Sequence, residues 1–279
     1  MQFLGTIINE LGLEFMNINK AIGVFDSGIG GLTVLKEIIR LFPHEDTIYL
    51  GDTARVPYGT KSAETVTRYS LEITDFLVTK GIKLLVVACN TASAVALPAL
   101  RGKHSLPIIG VIEPGARKAV ATTQTKKVGV IGTEGTIKSG AYEKAIKALA
   151  PEIEVISKPC PLFVPLAEEG WTDNDVAHAA ASRYLEDMKG VDTLVLGCTH
   201  YPLLKGAIAS VMGRNVRLID SGEETALEVR RVLSKEGLLR EEGTGKRTFY
   251  VTDTPERFVS VGLRFLGGGL DHAERVEIP

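Results

Sequence analysis

Two stretches of this 279-residue chain end alike: Leu84-Leu85-Val86-Val87-Ala88-Cys89-Asn90-Thr91 and Thr193-Leu194-Val195-Leu196-Gly197-Cys198-Thr199-His200. Each is an apolar run closing on a small residue, a cysteine and side chains that hydrogen-bond. Two equivalent thiols set face to face can take a proton from one side of a carbon and return one to the other side. That is the requirement for inverting a stereocentre. A thiol of ordinary pKa, about 8.5, is only about 3% thiolate at neutral pH, so its neighbours must assist. Asp26 and His200 are candidates to orient or exchange protons with the cysteines, and amides at helix starts after Cys89 and Cys198 would favour the thiolates.

Other chemistries could use the same atoms. A zinc site from Cys89, Cys198 and His200 lacks the paired-ligand spacing such sites show. A thiol hydrolase built on one cysteine with His200 and Asp26 leaves the second thiol without a role. Either cysteine alone reads as a small buried hydrophobe; the matched positions and polar followers argue against that for the pair. Cys160, in Pro159-Cys160-Pro161, has no such match and reads as structural.

Elements must hold these groups. Short apolar runs at residues 21–25, 47–50, 83–88 and 107–112 suit strands buried on both faces, and helix-compatible segments at 32–41 and 62–80 lie between them. This alternation predicts βαβ units in a parallel sheet, an α/β fold. The pattern restarts at 128–132 and continues at 152–156 and 193–196. Val24 falls on Val130 at an offset of 106 residues and Cys89 on Cys198 at 109, which points to a duplicated half-chain. A helix at 223–235, a charged turn at 241–246, a strand at 248–251 and a helix at 255–266 have no second-copy counterpart and are expected to pack back on the first half. The expected division is an extension at 1–20, a first lobe of 21–113 plus 223–279, and a second lobe of 114–222, with crossings near 113 and 222.

In parallel sheets ligands gather at the carboxyl ends of strands. Asp26-Ser27-Gly28, Cys89-Asn90-Thr91 and Cys198-Thr199-His200 all fall there. The Gly28-Ile29-Gly30-Gly31 loop fails the dinucleotide fingerprint because its third glycine would be Thr33; it suits a tight turn and a small anion at the helix that follows. Gly59-Thr60-Lys61-Ser62 lacks the upstream glycine of a P-loop. On their own, Glu168 and Glu169 read as solvated helix charges.

With 44% hydrophobic residues, 24% charged and a formal charge of -2, the chain has no electrostatic footprint for nucleic acid or an anionic membrane. Three widely spaced cysteines make no disulfide framework and fit a reducing cytosol. Residues 1–20 lack the basic start of a signal peptide. The longest uncharged stretch, 84–100, falls short of the roughly 20 apolar residues of a membrane span.

Taken in order, Phe25-Asp26-Ser27-Gly28-Ile29-Gly30-Gly31, Pro57-Tyr58-Gly59, Ala88-Cys89-Asn90-Thr91, the segment 161–170 and Gly197-Cys198-Thr199-His200-Tyr201-Pro202 resemble the cofactor-independent aspartate/glutamate racemase family. The resemblance runs from residue 21 to about 266, leaving residues 1–20 outside it. It implies two pseudo-symmetric α/β lobes, each a mostly parallel sheet flanked by helices, with the active site in the cleft between them. It also implies interconversion of L- and D-glutamate with no cofactor and no metal, Cys89 and Cys198 being the two proton-transferring groups. By the same resemblance Asp26 assists Cys89, His200 assists Cys198, and Glu168 is a further catalytic candidate on the second side. Asp26, Ser27, Tyr58, Gly59, Asn90, Thr91, Thr199 and His200 match substrate-binding positions, and Thr133 or Thr136 adds a carboxylate contact. A bacterial cytoplasmic homodimer supplying D-glutamate for peptidoglycan is implied as well. Aspartate stays open as an alternative substrate, since one methylene is worth only about 1–3 kcal/mol of discrimination; the motifs favour glutamate.

Overall fold

The structure, a computed structural model, describes residues 18–278. The expected extension at 1–20 therefore lies outside the described residues except for its last three. Ile18 at that junction is tied down, its carbonyl accepting a 2.7 Å hydrogen bond from Lys83 Nζ.

The chain alternates strand and helix as the apolar runs predict. The strands are β1 (Ala21–Asp26), β2 (Thr47–Gly51), β3 (Ile82–Val87), β4 (Ile108–Gly110), β5 (Lys127–Gly132), β6 (Glu154–Pro159), β7 (Thr193–Gly197), β8 (Arg217–Asp220), β9 (Arg247–Val251) and β10 (Glu274–Arg275). They form two sheets, ordered β10-β9-β2-β1-β3-β4 and β6-β5-β7-β8. All pairings are parallel. The order β2-β1-β3-β4 of the first sheet repeats as β6-β5-β7-β8 in the second, the topology a duplication would leave. As expected of the tail, β9 pairs with β2 in register Thr47↔Arg247 and so extends the first sheet.

Every residue of β1, β3 and β7 is buried, which is why they read as continuous apolar runs. Two expectations shift. The run at 107–112 is a strand only to Gly110, because Val111 already has helical dihedrals and Ile112 opens the helix Ile112–Thr122. The run at 152–156 becomes β6 two residues later and has no buried residue, half of it being exposed, since among the described residues no strand pairs on its outer side. Glu154 and Lys158 there keep the free edge charged.

Local signals fix the helix ends. Ser62 caps Ala63–Thr79 by accepting the Thr65 N–H at 3.2 Å, and Gly81 with φ 79° follows its end. Asp220 caps Ser221–Lys235 through the Gly222 N–H at 2.8 Å, which starts that helix two residues before the expected 223. This helix and Ile112–Thr122 carry the chain between the lobes and pack on each other. Their pairs Arg117–Glu228, 2.8 Å, and Lys118–Glu224, 3.0 Å, are solvent-facing and contribute little, roughly 0–1 kcal/mol each. What joins the lobes is apolar burial: one core cluster contains Leu32, Leu35 and Val86 from the first lobe with Leu196, Phe163 and Tyr201 from the second. Each such side chain contributes about 1.5–3 kcal/mol.

Candidate active site

The carboxyl ends of the innermost strands of the two sheets converge. β1 delivers Asp26 and the turn 27–31, β3 delivers Cys89, β5 delivers Thr133 and β7 delivers Cys198. Between them lies a cleft of about 60 Å³. It is far smaller than the ~300–1,000 Å³ of pockets for drug-sized ligands, so only a small molecule, or a site that opens, fits it. Cys89, Cys198 and His200 are 5%, 6% and 7% exposed. Charges developing there act in a nearly dry environment.

Of the residues singled out in the sequence, Cys89, Cys198, His200, Glu168, Ser27, Tyr58, Gly59, Asn90, Thr91 and Thr199 all line this one cleft. Asp26 does not. It sits behind the wall, 1% exposed, with one oxygen accepting the Gly28 N–H at 2.9 Å and the other, Oδ1, unpartnered. Thr133 lines the cleft whereas Thr136 is buried behind it, and Glu168 lines it whereas Glu169 does not. Gly28, Ile29, Val56, Pro57 and Val164 complete the lining without having been singled out as contacts. An apolar residue carries no sequence signal of facing a cleft, although Gly28, Ile29, Pro57 and Val164 lie inside the quoted motifs.

The two thiols differ in their surroundings. Cys89 is the cap residue of the helix Asn90–Val95 and donates to the Ser27 hydroxyl at 3.6 Å. Burial, then the charge of Asp26, pushes its thiol up to about 12, while the Ala92 and Ser27 N–H groups and the Ser27 hydroxyl pull the other way. Asp26 is itself raised by burial, against the opposing pull of His200 and of three backbone N–H groups. The helix start expected after Cys198 is absent. The chain instead turns into the 3-10 helix Tyr201–Leu204, with Pro202 in its first turn, and a side chain does the work of the amides. His200 Nδ1 lies 3.9 Å from Cys198 Sγ, and its Nε2 lies 3.2 Å from Glu168 Oε1. Hydrogen bonding to His200 lowers the Glu168 carboxyl. Among the described residues no three His, Cys, Asp or Glu side chains converge as a metal site.

Burial alone would lower the His200 ring, but its hydrogen bonds with Cys198 and Glu168 and the negative charges of Cys198 and Asp26 prevail and hold it up at about 10. A group raised in the folded state stabilises the fold fully below its unfolded pKa and loses that contribution as pH rises through the folded value. The deficit of His200→Gln against wild type in urea unfolding is therefore expected to be full below about pH 6.5 and to fade as pH passes the folded value. A deficit that stays constant over that window would contradict the assignment.

Neutral groups hold the lobes together over the cleft. The Thr91 hydroxyl lies 3.0 Å from that of Thr133 and 3.3 Å from that of Thr136. Tyr142 donates to Asn90 Oδ1 at 2.7 Å, which fixes the amide and leaves its buried Nδ2 donor unpartnered. Thr33 lies 2.9 Å from both the Thr199 and the Gly30 carbonyls, to which its hydroxyl donates. Tyr58 donates its hydroxyl to Asp52, which also accepts from Arg55 at 2.7 Å and Thr252 at 2.9 Å. Tyr58 consequently offers the cleft its ring and backbone rather than its O–H. Cys160 is wholly buried, and its carbonyl accepts from Tyr201 at 2.8 Å, in line with a structural reading.

The family model for Asp/Glu/hydantoin racemases matches residues 22–229. A glutamate racemase of Geobacter metallireducens is 63% identical over 262 residues, covering 93% of this chain and 97% of its own. Among solved structures, a glutamate racemase isoform from Bacillus anthracis superposes with a TM-score of 0.90 at 42% identity, covering 93% of this chain and 98% of its own. A Francisella tularensis glutamate racemase in complex with D-glutamate superposes at 0.88 with 40% identity, covering 94% and 98%.

Proposed function

The chain belongs to the Asp/Glu/hydantoin racemase family, and we propose that within it the protein interconverts L- and D-glutamate by a two-thiol mechanism. The observation that carries this reading is the pair of cysteines at equivalent strand ends of two equivalent sheets, both lining one closed cleft. One cysteine, as thiolate, takes the α-proton and becomes a thiol. The other, as thiol, gives its proton to the opposite face of the carbanion and becomes a thiolate. Atoms and charge balance, and the enantiomers exchange with the two sulfurs trading protonation states.

The partners of the two thiols are unlike in charge. A thiolate on Cys198 has the protonated His200 ring beside it as counter-ion, with Glu168 holding that ring's far nitrogen. Cys89 stands instead near the carboxylate of Asp26, which strengthens the hold of its sulfur on a proton and makes its thiolate a strong base. The α-proton of an amino acid is far less acidic than either thiol, so the developing carbanion has to be stabilised. The free Asn90 Nδ2 donor and the hydroxyls of Thr91, Thr133 and Thr199 are placed to bind the carboxylates and take up that charge in a water-excluded site. Among the described residues the cleft lining contains no Lys or Arg; its one cation is the His200 ring beside Cys198, so the carboxylates are held mainly by neutral donors and the Cys89 side keeps its basicity.

The best test is incubation of purified protein with L-glutamate in D₂O, following circular dichroism and deuterium at the α-carbon. Loss of optical activity together with deuterium uptake is expected. Optical activity that persists for both glutamate and aspartate under reducing conditions would refute the reading. A parallel aspartate arm separates the two substrates, and glutamate is expected to be faster. The same reading places the enzyme in a bacterial cytoplasm as a homodimer supplying D-glutamate to peptidoglycan. No described helix is long and apolar enough to cross a membrane.

A further inference from the structure

The closed cleft raises the question of how a charged amino acid gets in. A second cavity, of about 240 Å³, shares four lining residues with the cleft: Gly28, Ile29, Val56 and Glu168. Its remaining walls are Thr53 and, from the helix Pro255–Leu266 and its cap, Thr254, Arg257 and Phe258. Val56 stands on the boundary of both spaces and is 46% exposed, an apolar side chain left out of the core at the threshold. The partition between the spaces carries charge. Glu168 directs Oε1 to His200 and Oε2 to Arg257, 3.4 Å away, and the Arg257 side chain is 59% exposed. Among the described residues its guanidinium is the one cationic group lining the cavity, and it faces solvent on one side and the partition on the other.

We propose that this cavity is the entry vestibule of the cleft and that Arg257 is the residue that receives a carboxylate of the incoming anionic amino acid. The proposal rests on the racemase reading. An approaching glutamate carries net negative charge and meets Glu168, an anion, at the partition. Without Arg257 that meeting is repulsive. With it, the guanidinium exchanges a long, half-exposed contact with Glu168 for the substrate carboxylate, and the substrate passes Val56 into the cleft, where neutral donors take over. Such a charge acts on encounter rather than on the proton transfers, so its effect belongs in kcat/KM and its salt dependence.

The test is racemisation of both enantiomers by wild type, Arg257→Lys, Arg257→Met and Arg257→Glu, from about 0.01 M to about 1 M salt, over which the screening length falls from ~30 Å to ~3 Å. Arg257→Met is expected to lose about ten-fold in kcat/KM at low salt through KM, with kcat within about two-fold, and to flatten the salt dependence. Arg257→Glu should lose more and reverse the salt slope, while Arg257→Lys retains most of the wild-type behaviour. Unchanged kcat/KM and salt slope in Arg257→Met and Arg257→Glu would overturn the proposal. So would a loss confined to kcat, which would make Arg257 a support for Glu168 instead. A wild type that racemises neither enantiomer refutes the parent reading, whereas an active wild type with indifferent Arg257 variants refutes only this one.

Discussion

Replacing either thiol by a hydroxyl, Cys89→Ser or Cys198→Ser, is expected to lower racemisation by about 10³-fold or more while the fold survives. Serine is close to isosteric, and each sulfur already sits beside a hydrogen-bonding partner, Ser27 for Cys89 and His200 for Cys198. A hydroxyl is a poor base and a poor proton donor at neutral pH, so the chemistry is lost first. Because enantiomers have equal free energy, kcat/KM must fall equally in both directions for either variant. The asymmetry appears elsewhere. In Cys198→Ser the surviving Cys89 faces one side of the α-carbon, so slow exchange of the α-proton for deuterium, with retention, is confined to one enantiomer. In Cys89→Ser it is confined to the other. Mass spectrometry of each pure enantiomer in D₂O reads this directly. Full racemisation by either variant, or exchange of the same enantiomer by both, would sink the two-thiol mechanism.

The strands that carry the thiols were legible because a strand buried on both faces is mostly apolar, and β1, β3 and β7 are buried at every residue with Asp26 and Lys83 their charged members. β6 was placed two residues early for the converse reason: an edge strand facing water looks like a turn. The repeated offset foresaw two equivalent sheets but not their unequal partners. Asp26 ends β1, while the matching position of β5 is Gly132, and the second thiol has His200 beside it, with Glu168, across the fold, on that ring's far nitrogen. Nothing local marks Glu168 over Glu169, since only packing decides which faces the cleft. Likewise the sequence offers Tyr58 as a contact and conceals that its hydroxyl is committed to Asp52. Thr33, noticed only as the residue that spoils a glycine fingerprint, proves to be a tie between lobes, donating to the Thr199 carbonyl.

The close approach of the lobes at that tie underlies the second large effect. Gly30 belongs to the turn after β1, in the first lobe, yet a Cβ built on it would fall inside contact distance of the Thr199 hydroxyl and the His200 ring of the second. Gly30→Ala therefore leaves three outcomes: the ring swings away from Cys198, the turn is displaced, or the lobes stay apart. Each misplaces an acid–base group by about an ångström, which is expected to lower kcat/KM by about 10²-fold. Stability should suffer less, because the turn lies at the cleft and a small separation of the lobes relieves the contact. Gly102→Ala is the matched control, since a Cβ there meets nothing within 4 Å. If the closed arrangement is the working one, Gly30→Ala also lowers the apparent folded-state pKa of His200, as the ring loses Cys198 and Glu168 together, and an NMR titration of the ring measures it. A Gly30→Ala enzyme with wild-type kcat/KM would mean that proton transfer does not require the lobes to meet here.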